Sequence, residues 1–543
     1  MSSLPTTSIT RRGLLTAGVG VGAVGLLAGC AGETGAGAEG VGIPASEAVV
    51  PDFIPYDGAP PDREAGPGGI PPVYYNYPEP VVRDGYPLPA GETFTALMQG
   101  LPPTVTPKQN QNYALAYEQV GTPFDIIYGT YTDYKDKFQV TMASGDLPDM
   151  CMIIKVAQLP RLLDKHFADL TDILGGDGVA QYPGLANIPT ETWRLATLNG
   201  RIWGIAKPSP PAAYTLNSRG DILAERGISD PSPQLRDGAD FVDLLKELTN
   251  RDKNEFAMGA DPLGWLMAIV KQMIGTPNNW AQEDGRFVHE LETEQYKDVL
   301  AETAKIIQAG YLHPNSFSDP GQNRVWYSSG VTGLYIQSFS GWGLDARNEP
   351  DWNVGNIELP RWEGGGPAPA RKTPPGYSAF VAFKKADDAR LHQLLQIADW
   401  VASPFGTQQF LDASYGVEGY SYRMKDGNPV TIPDSPEVLA MSYAGGNANA
   451  VLFTPGEKES VDAQREHLER TLPDGRDDAS LGLYSETAVS KAPTMSSALN
   501  DLQREILQGT KPMSEWDDMV KRWKDQVGAK MAAEFEEAAD AAG

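Results

Sequence analysis

The side chains that most often carry chemistry are scarce in this 543-residue chain, and their spacing excludes several kinds of it. There are two cysteines, Cys30 and Cys151, so no disulfide framework holds the fold and no cysteine-based zinc site can form. The five histidines (His166, His289, His313, His392 and His467) include no i, i+4 pair, which argues against a histidine metal centre. G-x-S-x-G, G-x-x-x-x-G-K-[ST] and H-E-x-x-H are all absent. Gly20 to Gly25 spells G-x-G-x-x-G, yet no strand pattern precedes it and no acid follows at the distance a dinucleotide site needs. Carboxylates are the exception to this scarcity. With 71 of them, a glycoside-hydrolase pair set ~5–9.5 Å apart stays open, although many sit in helices or in solvated clusters such as Glu534, Glu536 and Glu537. Cys151 lies in the apolar run Met150-Cys151-Met152-Ile153-Ile154 and reads as a small buried hydrophobe on a strand.

The 71 acids face 44 Lys and Arg, giving a formal net charge of −27. Such a surface repels phosphate backbones, so no nucleic-acid partner is expected. A chain this long suggests two to four domains, and 41% hydrophobic residues suit a folded protein. Residues 1–29 hold Arg11 and Arg12, no acid, and a small apolar stretch from Gly13 to Ala28 that is too short to span a ~30 Å hydrocarbon core. Leu27-Ala28-Gly29-Cys30 resembles a lipoprotein cleavage box, which makes Cys30 the lipidated new N-terminus. Thr10 to Leu15 also resembles a twin-arginine export signal, and the choice between that route and the general secretory one stays open. The expected location is the outer face of the cytoplasmic membrane, with the lipid as sole membrane contact.

The elements that must position any site begin after a Gly- and Pro-rich stretch, 30–90, expected to act as a tether. Strand patterns occur at Thr93–Met98, Phe124–Tyr128 and Met150–Ile154, with helical stretches from Asn112 and from Tyr134 between them. Further helices are read at Asp221–Arg226, Phe241–Leu248, Glu294–Ala309, Leu391–Val401 and Ser514–Ala539, and further strands at Gly333–Ile336 and Tyr377–Phe383. The alternation indicates an α/β body with a largely parallel sheet. Trp400, Trp516 and Trp523 lie on apolar helical stripes and read as core.

Several segments, in order, resemble the extracellular solute-binding proteins (family 1) of carbohydrate ABC transporters. Met142 to Asp149 resembles the turn before that family's third strand. Leu198-Asn199-Gly200-Arg201-Ile202-Trp203-Gly204-Ile205 is similar to its NGKIYGIP strand, and Asn217–Ile228 to its NRDILEKLGI helix. Glu294–Leu312, Trp326–Leu334, Ile397–Phe410, Tyr415–Gly419 and Leu507–Phe535 follow the same order, the last two resembling the long-chain lipoprotein branch that includes alginate-oligosaccharide binders. The resemblance implies a two-lobed periplasmic-binding-protein-like α/β fold with a hinge and an interlobe cleft. Lobe 1 would comprise 91–212 plus 376–412, and lobe 2 would comprise 213–375 plus 413–543. It further implies a monomeric, non-enzymatic protein that needs no cofactor, captures a carbohydrate (an oligosaccharide) and delivers it to ABC-transporter permease subunits.

Sugars offer apolar C–H faces and many hydroxyls, so aromatic rings in Gly/Pro-rich loops are the implied ligand contacts. These are Trp203, Trp265, Trp280, Trp342 and Tyr377, with Asp146 as the polar candidate at a βα turn. The branch often carries a calcium loop after the helix matching Phe241–Leu248. Thr249-Asn250-Arg251-Asp252-Lys253-Asn254-Glu255 lacks its D-x-[DN]-x-[DN]-G pattern and reads as a plain turn, so no metal is expected. Two alternatives remain: a surface lipoprotein of the same fold with an adhesive or sensory role, and a secreted glycoside hydrolase.

Overall fold

The computed structural model describes residues 49–540 apart from 101, 131–132, 374–375, 439–440 and 447–449. The leader, Cys30 and the first part of the tether lie outside the described residues. Two sheets organise the rest. The first contains β1 (Phe94–Gln99), β2 (Phe124–Gly129), β3 (Met150–Ile153), β4 (Ile205–Pro208) and a strand from the later chain, Gly376–Phe383. The second contains β5 (Tyr214–Ser218), β6 (Phe256–Met258), β7 (Thr332–Ser338) and β8 (Gly355–Asn356). The late strand Gly376–Phe383 is β9.

The first sheet has the order β2-β1-β3-β9-β4. All four residues of β3 are buried, as a strand covered on both faces requires. Burial there pushes the pKa of the Cys151 thiol up to about 12. Strands β1, β2 and β3 are parallel, with Phe94 beside Phe124 and Ala96 beside Met150. In place of a largely parallel sheet, β9 runs antiparallel to both β3 and β4. The reason is connectivity: the chain leaves along β4, builds the second lobe, and returns along β9 in the opposite sense. The second sheet, β8-β5-β7-β6, pairs β7 antiparallel with β5 and parallel with β6.

Each sheet has its own core. Trp193 and Trp400 are fully buried around the first, and Trp516 and Trp523 pack in the second. The C-terminal helix is one expected element made of two, Ser514–Trp523 and Ala529–Asp540, joined through a wider π-type turn at Lys524–Gly528. Gly528 explains the turn, because a Cβ there would lie 2.4 Å from the Trp523 ring. No helix among the described residues is long and apolar enough to cross a membrane.

The described part of the expected tether lies along the body. Val73, Tyr74 and Tyr77 are buried, and Arg83 reaches the Asp399 carboxylate at 2.5 Å. Asp399 also accepts from Tyr86 Oη (2.8 Å) and from the amides of Gly184 (2.6 Å) and Leu185 (3.1 Å). Large apolar side chains thus outweigh the Gly/Pro composition in deciding where this stretch goes. A second difference concerns the stretch after 412, which the resemblance places with lobe 2. Val417 N and Ser421 Oγ donate to Asn112 Oδ1, and Met441 and Ala444 join the first core. From Leu452 onward the described chain packs against Phe339 and Trp342 of the second lobe.

Candidate functional site

Parallel strands point their C-terminal ends at one edge, and ligands of α/β folds bind outside that edge. In the first lobe this edge carries Gln99 at the end of β1, Lys155 two residues past β3, and Lys207 on β4. In the second it carries Tyr214 at the start of β5, its register partner Ser338 at the end of β7, and the turn Asp261–Trp265 after β6. The crossings β4–β5 and 371–376 join the two edges, and Ala212 bridges Lys372 between them. The site is therefore a cleft with the crossing strands as its floor.

The first-lobe wall is a linked polar set. Tyr443 Oη donates to Gln99 Oε1 at 3.1 Å. Lys207 Nζ donates to Ser442 Oγ at 3.1 Å and stands 5.5 Å from the Tyr443 ring centroid. Desolvation lowers the Lys207 ammonium to about 8. Lys155 is exposed, and partial desolvation by the surrounding protein lowers its pKa, with Asp478 opposing the shift. Beyond Lys155 the wall continues into Tyr484, whose hydroxyl donates to Glu486 Oε2 (2.5 Å) and to Val156 O (3.3 Å).

The second-lobe wall is aromatic. Tyr214 and Trp265 meet edge to face at 5.3 Å, both half-buried. Asp261 positions the Trp265 turn by accepting from the Leu263 amide at 3.3 Å. Flanking the crossing strands is a cavity of about 330 Å³ that both lobes line. Pro210, Pro211, Ser340, Leu344 and Arg347 contribute from the hinge and second lobe, and Phe405, Phe410 and Tyr415 from the first. Burial raises the Tyr415 phenol, and the positive charge of Arg347 partly offsets that rise.

Of the residues singled out from sequence, Trp265 is half-buried in the turn that follows β6, at the C-terminal edge of the second sheet. Trp203 is 4% exposed in the first core, its indole N–H donating to Leu198 O at 3.1 Å. Trp280 is 3% exposed, wedged between His289 (4.7 Å) and Phe535 (5.3 Å) in the second core. Trp342, one turn into the helix Phe339–Asn348, packs against Phe339 and His467, and its indole N–H has no hydrogen-bond partner among the described residues. Tyr377 is the second residue of β9 at its hinge end, and its side chain lies outside the described residues. Asp146 is exposed in the turn that precedes β3, so it lies at the N-terminal edge of the parallel strands, opposite the cleft. The sequence reading took it as the end of a βα unit, whereas it is the end of an αβ unit.

The cleft residues that sequence reasoning passed over are Gln99, Lys155, Lys207, Tyr214, Arg347, Tyr415 and Tyr443. For Gln99, Lys155 and Lys207 the signal was available: each follows or ends an apolar strand run. Tyr443 arrives from a distant part of the chain and carries no local mark, whereas Tyr415 opens the Tyr415–Gly419 segment, which the resemblance marks without giving it a ligand role. In the turn at Thr249–Glu255, Arg226 donates to Glu255 Oε2 (2.7 Å) and Glu247 O (3.0 Å). Among the described residues no group of three or more His, Cys, Asp or Glu is placed to hold a metal ion.

Comparison with known proteins agrees with this architecture. The chain is 20% identical over 447 residues to lipoprotein LipO of Bacillus subtilis (strain 168), covering 76% of this chain and 85% of that one. It is also 20% identical over 451 residues to the polygalacturonan/rhamnogalacturonan-binding protein YtcQ of the same organism, covering 77% and 85%. Among solved structures, the N-glycan transport solute-binding protein of Streptococcus pneumoniae, in complex with Man1GlcNAc, superposes with a TM-score of 0.57 at 15% identity, covering 82% of this chain and 99% of that one. An alginate-binding protein solved without calcium ion gives 0.58 at 16% identity, covering 82% and 98%. The sequence pattern of bacterial extracellular solute-binding proteins matches residues 114–417, more than half of the chain. The chain belongs to that family.

Proposed function

We propose that this protein captures an oligosaccharide between its two lobes and hands it to the permease subunits of an ABC importer, acting as a monomer and without turning the sugar over. The observation that carries the reading is the cleft itself. One wall offers aromatic faces, Tyr214 and Trp265, and the other offers a polar row of Gln99, Tyr443 and Lys207. Sugars need both kinds of surface at once: rings for their C–H faces and oriented donors and acceptors for their hydroxyls. Because the walls belong to different lobes joined by crossing strands, binding and hinge closure are coupled. The relatives support the reading, since YtcQ binds polygalacturonan and rhamnogalacturonan, and a Streptococcus pneumoniae transporter protein of this fold was solved with kestose. The sequence Leu27–Cys30 and the lipoprotein relative support anchoring through a lipid on Cys30, on the outer face of the cytoplasmic membrane. The cavity beside Arg347 and the hinge end of β9, which carries Tyr377, extend the proposed ligand surface.

Titration calorimetry of the full chain against neutral, acidic and amino oligosaccharides tests this. Saturable binding of one glycan class, weakened about tenfold or more in Trp265→Ala, is the expected result. Binding of none by a folded protein, or release of cleaved sugar, overturns the reading.

A further inference from the structure

We propose that residues 72–75, within the stretch that composition marks as a tether, form a strap that ties the two lobes together at the hinge and narrows the range over which they open. This goes beyond the oligosaccharide reading and does not depend on it. Besides the crossings β4–β5 and 371–376, the chain passes between the lobes a third time. It runs from Ala444, in the first core, to the helix Lys458–Thr471, whose Val461 and Leu468 pack with Phe339 and Trp342 of the second lobe. The strap lies beside this crossing. Leu452 N donates to Pro72 O at 2.8 Å and Tyr74 N donates to Leu452 O at 3.0 Å, so the two segments run parallel with Val73 opposite Leu452. Crossing and strap together are a two-stranded ribbon.

Side chains alternate between the two faces of an extended ribbon, and here each face is held by a different lobe. Tyr74, Val451 and Phe453 pack with Phe405 and Phe410 of the first lobe, the Tyr74 and Phe405 rings meeting at 4.6 Å. Val73 and Leu452 pack with Phe339 and Trp342 of the second. One residue on, Tyr75 returns to the second lobe: its hydroxyl donates to Asp462 Oδ1 at 2.6 Å, and Lys458 Nζ lies 3.7 Å from its ring centroid. The strap is pinned again at both ends. Arg465, 7% exposed on the second lobe, donates to Glu64 O (2.9 Å) and Pro71 O (3.0 Å), and Tyr77 Oη donates to Thr407 O (2.9 Å) on the first. A lone extended crossing bends and twists at little cost. A rotation of the lobes about this ribbon must instead shear two packed faces and its backbone hydrogen bonds together. The consequence for a ligand is preorganisation, because less interlobe freedom remains to be lost on closure. Pro71 and residues 451–455 also line the cavity between the lobes, so the strap reaches the proposed ligand surface.

The test measures the interlobe distance distribution by pulsed dipolar EPR. The full chain with Cys30→Ser receives spin labels at Gln139→Cys, exposed on the first lobe, and at Gln295→Cys, exposed on the second, while Cys151 at 0% exposure stays unlabelled. Tyr74→Ala loosens the first-lobe face of the ribbon and Tyr75→Ala its second-lobe attachment. A thermal melt confirms that each is folded, and Tyr74→Leu, which keeps apolar volume, replaces Tyr74→Ala if that variant is not. A tie between two bodies is lost when either end is cut. Each single substitution is therefore expected to widen the distribution by roughly 2 Å or more, and the double substitution to widen it no further than the larger single. Unchanged distributions in the folded variants overturn the inference. Widths that add in the double variant overturn it too, because they mean that each tyrosine acts within its own lobe. A sugar that narrows the wild-type distribution should bind each single variant about three- to tenfold more weakly, and equal affinity overturns the preorganising role. Widening as expected, with no sugar of any class narrowing the wild-type distribution, upholds the strap and overturns the oligosaccharide reading instead.

Discussion

Glu290 is 4% exposed and holds two cations at once. Lys271 Nζ lies 2.6 Å from Oε1 and Arg371 Nη2 lies 3.1 Å from Oε2. Arg371 also donates to Thr276 Oγ1 and Pro277 O, both at 2.9 Å, and its backbone opens the crossing that returns to β9. Glu290→Gln keeps the shape and removes the charge, leaving two desolvated cations without a carboxylate. Breaking one buried pair from one side costs about 3–5 kcal/mol, and the second cation places this site at the upper end. At about 2–4 °C per kcal/mol for a domain of this size, the melting temperature of the second lobe should fall by roughly 10 °C or more. Burial alone would raise the Glu290 pKa, but Lys271 and Arg371 hold it below the ordinary glutamate range. A depressed folded-state value contributes stability above the unfolded pKa that is lost as pH falls through the folded one, so Glu290→Gln should also flatten the acid limb of the stability profile. Urea denaturation monitored between pH 3 and 8 measures both effects. A loss under about 1 kcal/mol, within the range of an exposed ion pair, would refute the argument that this network is desolvated.

Other expectations follow from the same geometry. Asp399→Ala strands Arg83 and two helix-start amides, so it should cost about 3–5 kcal/mol and expose residues 77–90 to protease, read by limited digestion and mass spectrometry. Burial lowers His289 and His467 to about 4, the former with Glu290 opposing and Lys271 assisting, the latter assisted by Arg470. Both rings stay neutral in the folded state, so stability is complete above pH 6.5 and falls as pH drops toward 4, by roughly 3 kcal/mol per ring. Calorimetric melts across that window should show this slope, and His467→Gln should reduce it. Gly528→Leu should drive a side chain into the Trp523 ring and lower the melting temperature, whereas Gly528→Ala should do so less.

The legible parts of this protein were those with a local signature. Met150 to Ile153 announces a buried strand because four consecutive apolar residues need cover on both faces, and Trp400, Trp516 and Trp523 announce core because they fall on helical stripes. The candidate aromatics were harder. Trp203 and Trp280 sit beside Gly and Pro just as Trp265 does, and what separates them is tertiary: the first two are buried within their lobes, while Trp265 is half-buried with Tyr214 at the edge of its sheet. Asp146 was misplaced by one half-unit of the βα alternation, which moves a residue from one edge of the sheet to the other. The stretch 49–90 reads as a tether by composition, but several of its tyrosines pack on the body, Tyr77 against Phe405 at 4.7 Å for instance. Tyr443 reaches Gln99 across 344 positions of sequence, a contact that no local pattern encodes.

The central claim is that an oligosaccharide is held between two lobes that close upon it. Small-angle X-ray scattering of the full chain, alone and with each oligosaccharide of the panel in turn at millimolar concentration, tests this most directly. The account predicts that at least one sugar class reduces the radius of gyration, and that Trp265→Ala requires more sugar to reach the same reduction. A radius unchanged by every sugar, or one reduced equally in the variant at the same concentrations, would contradict it.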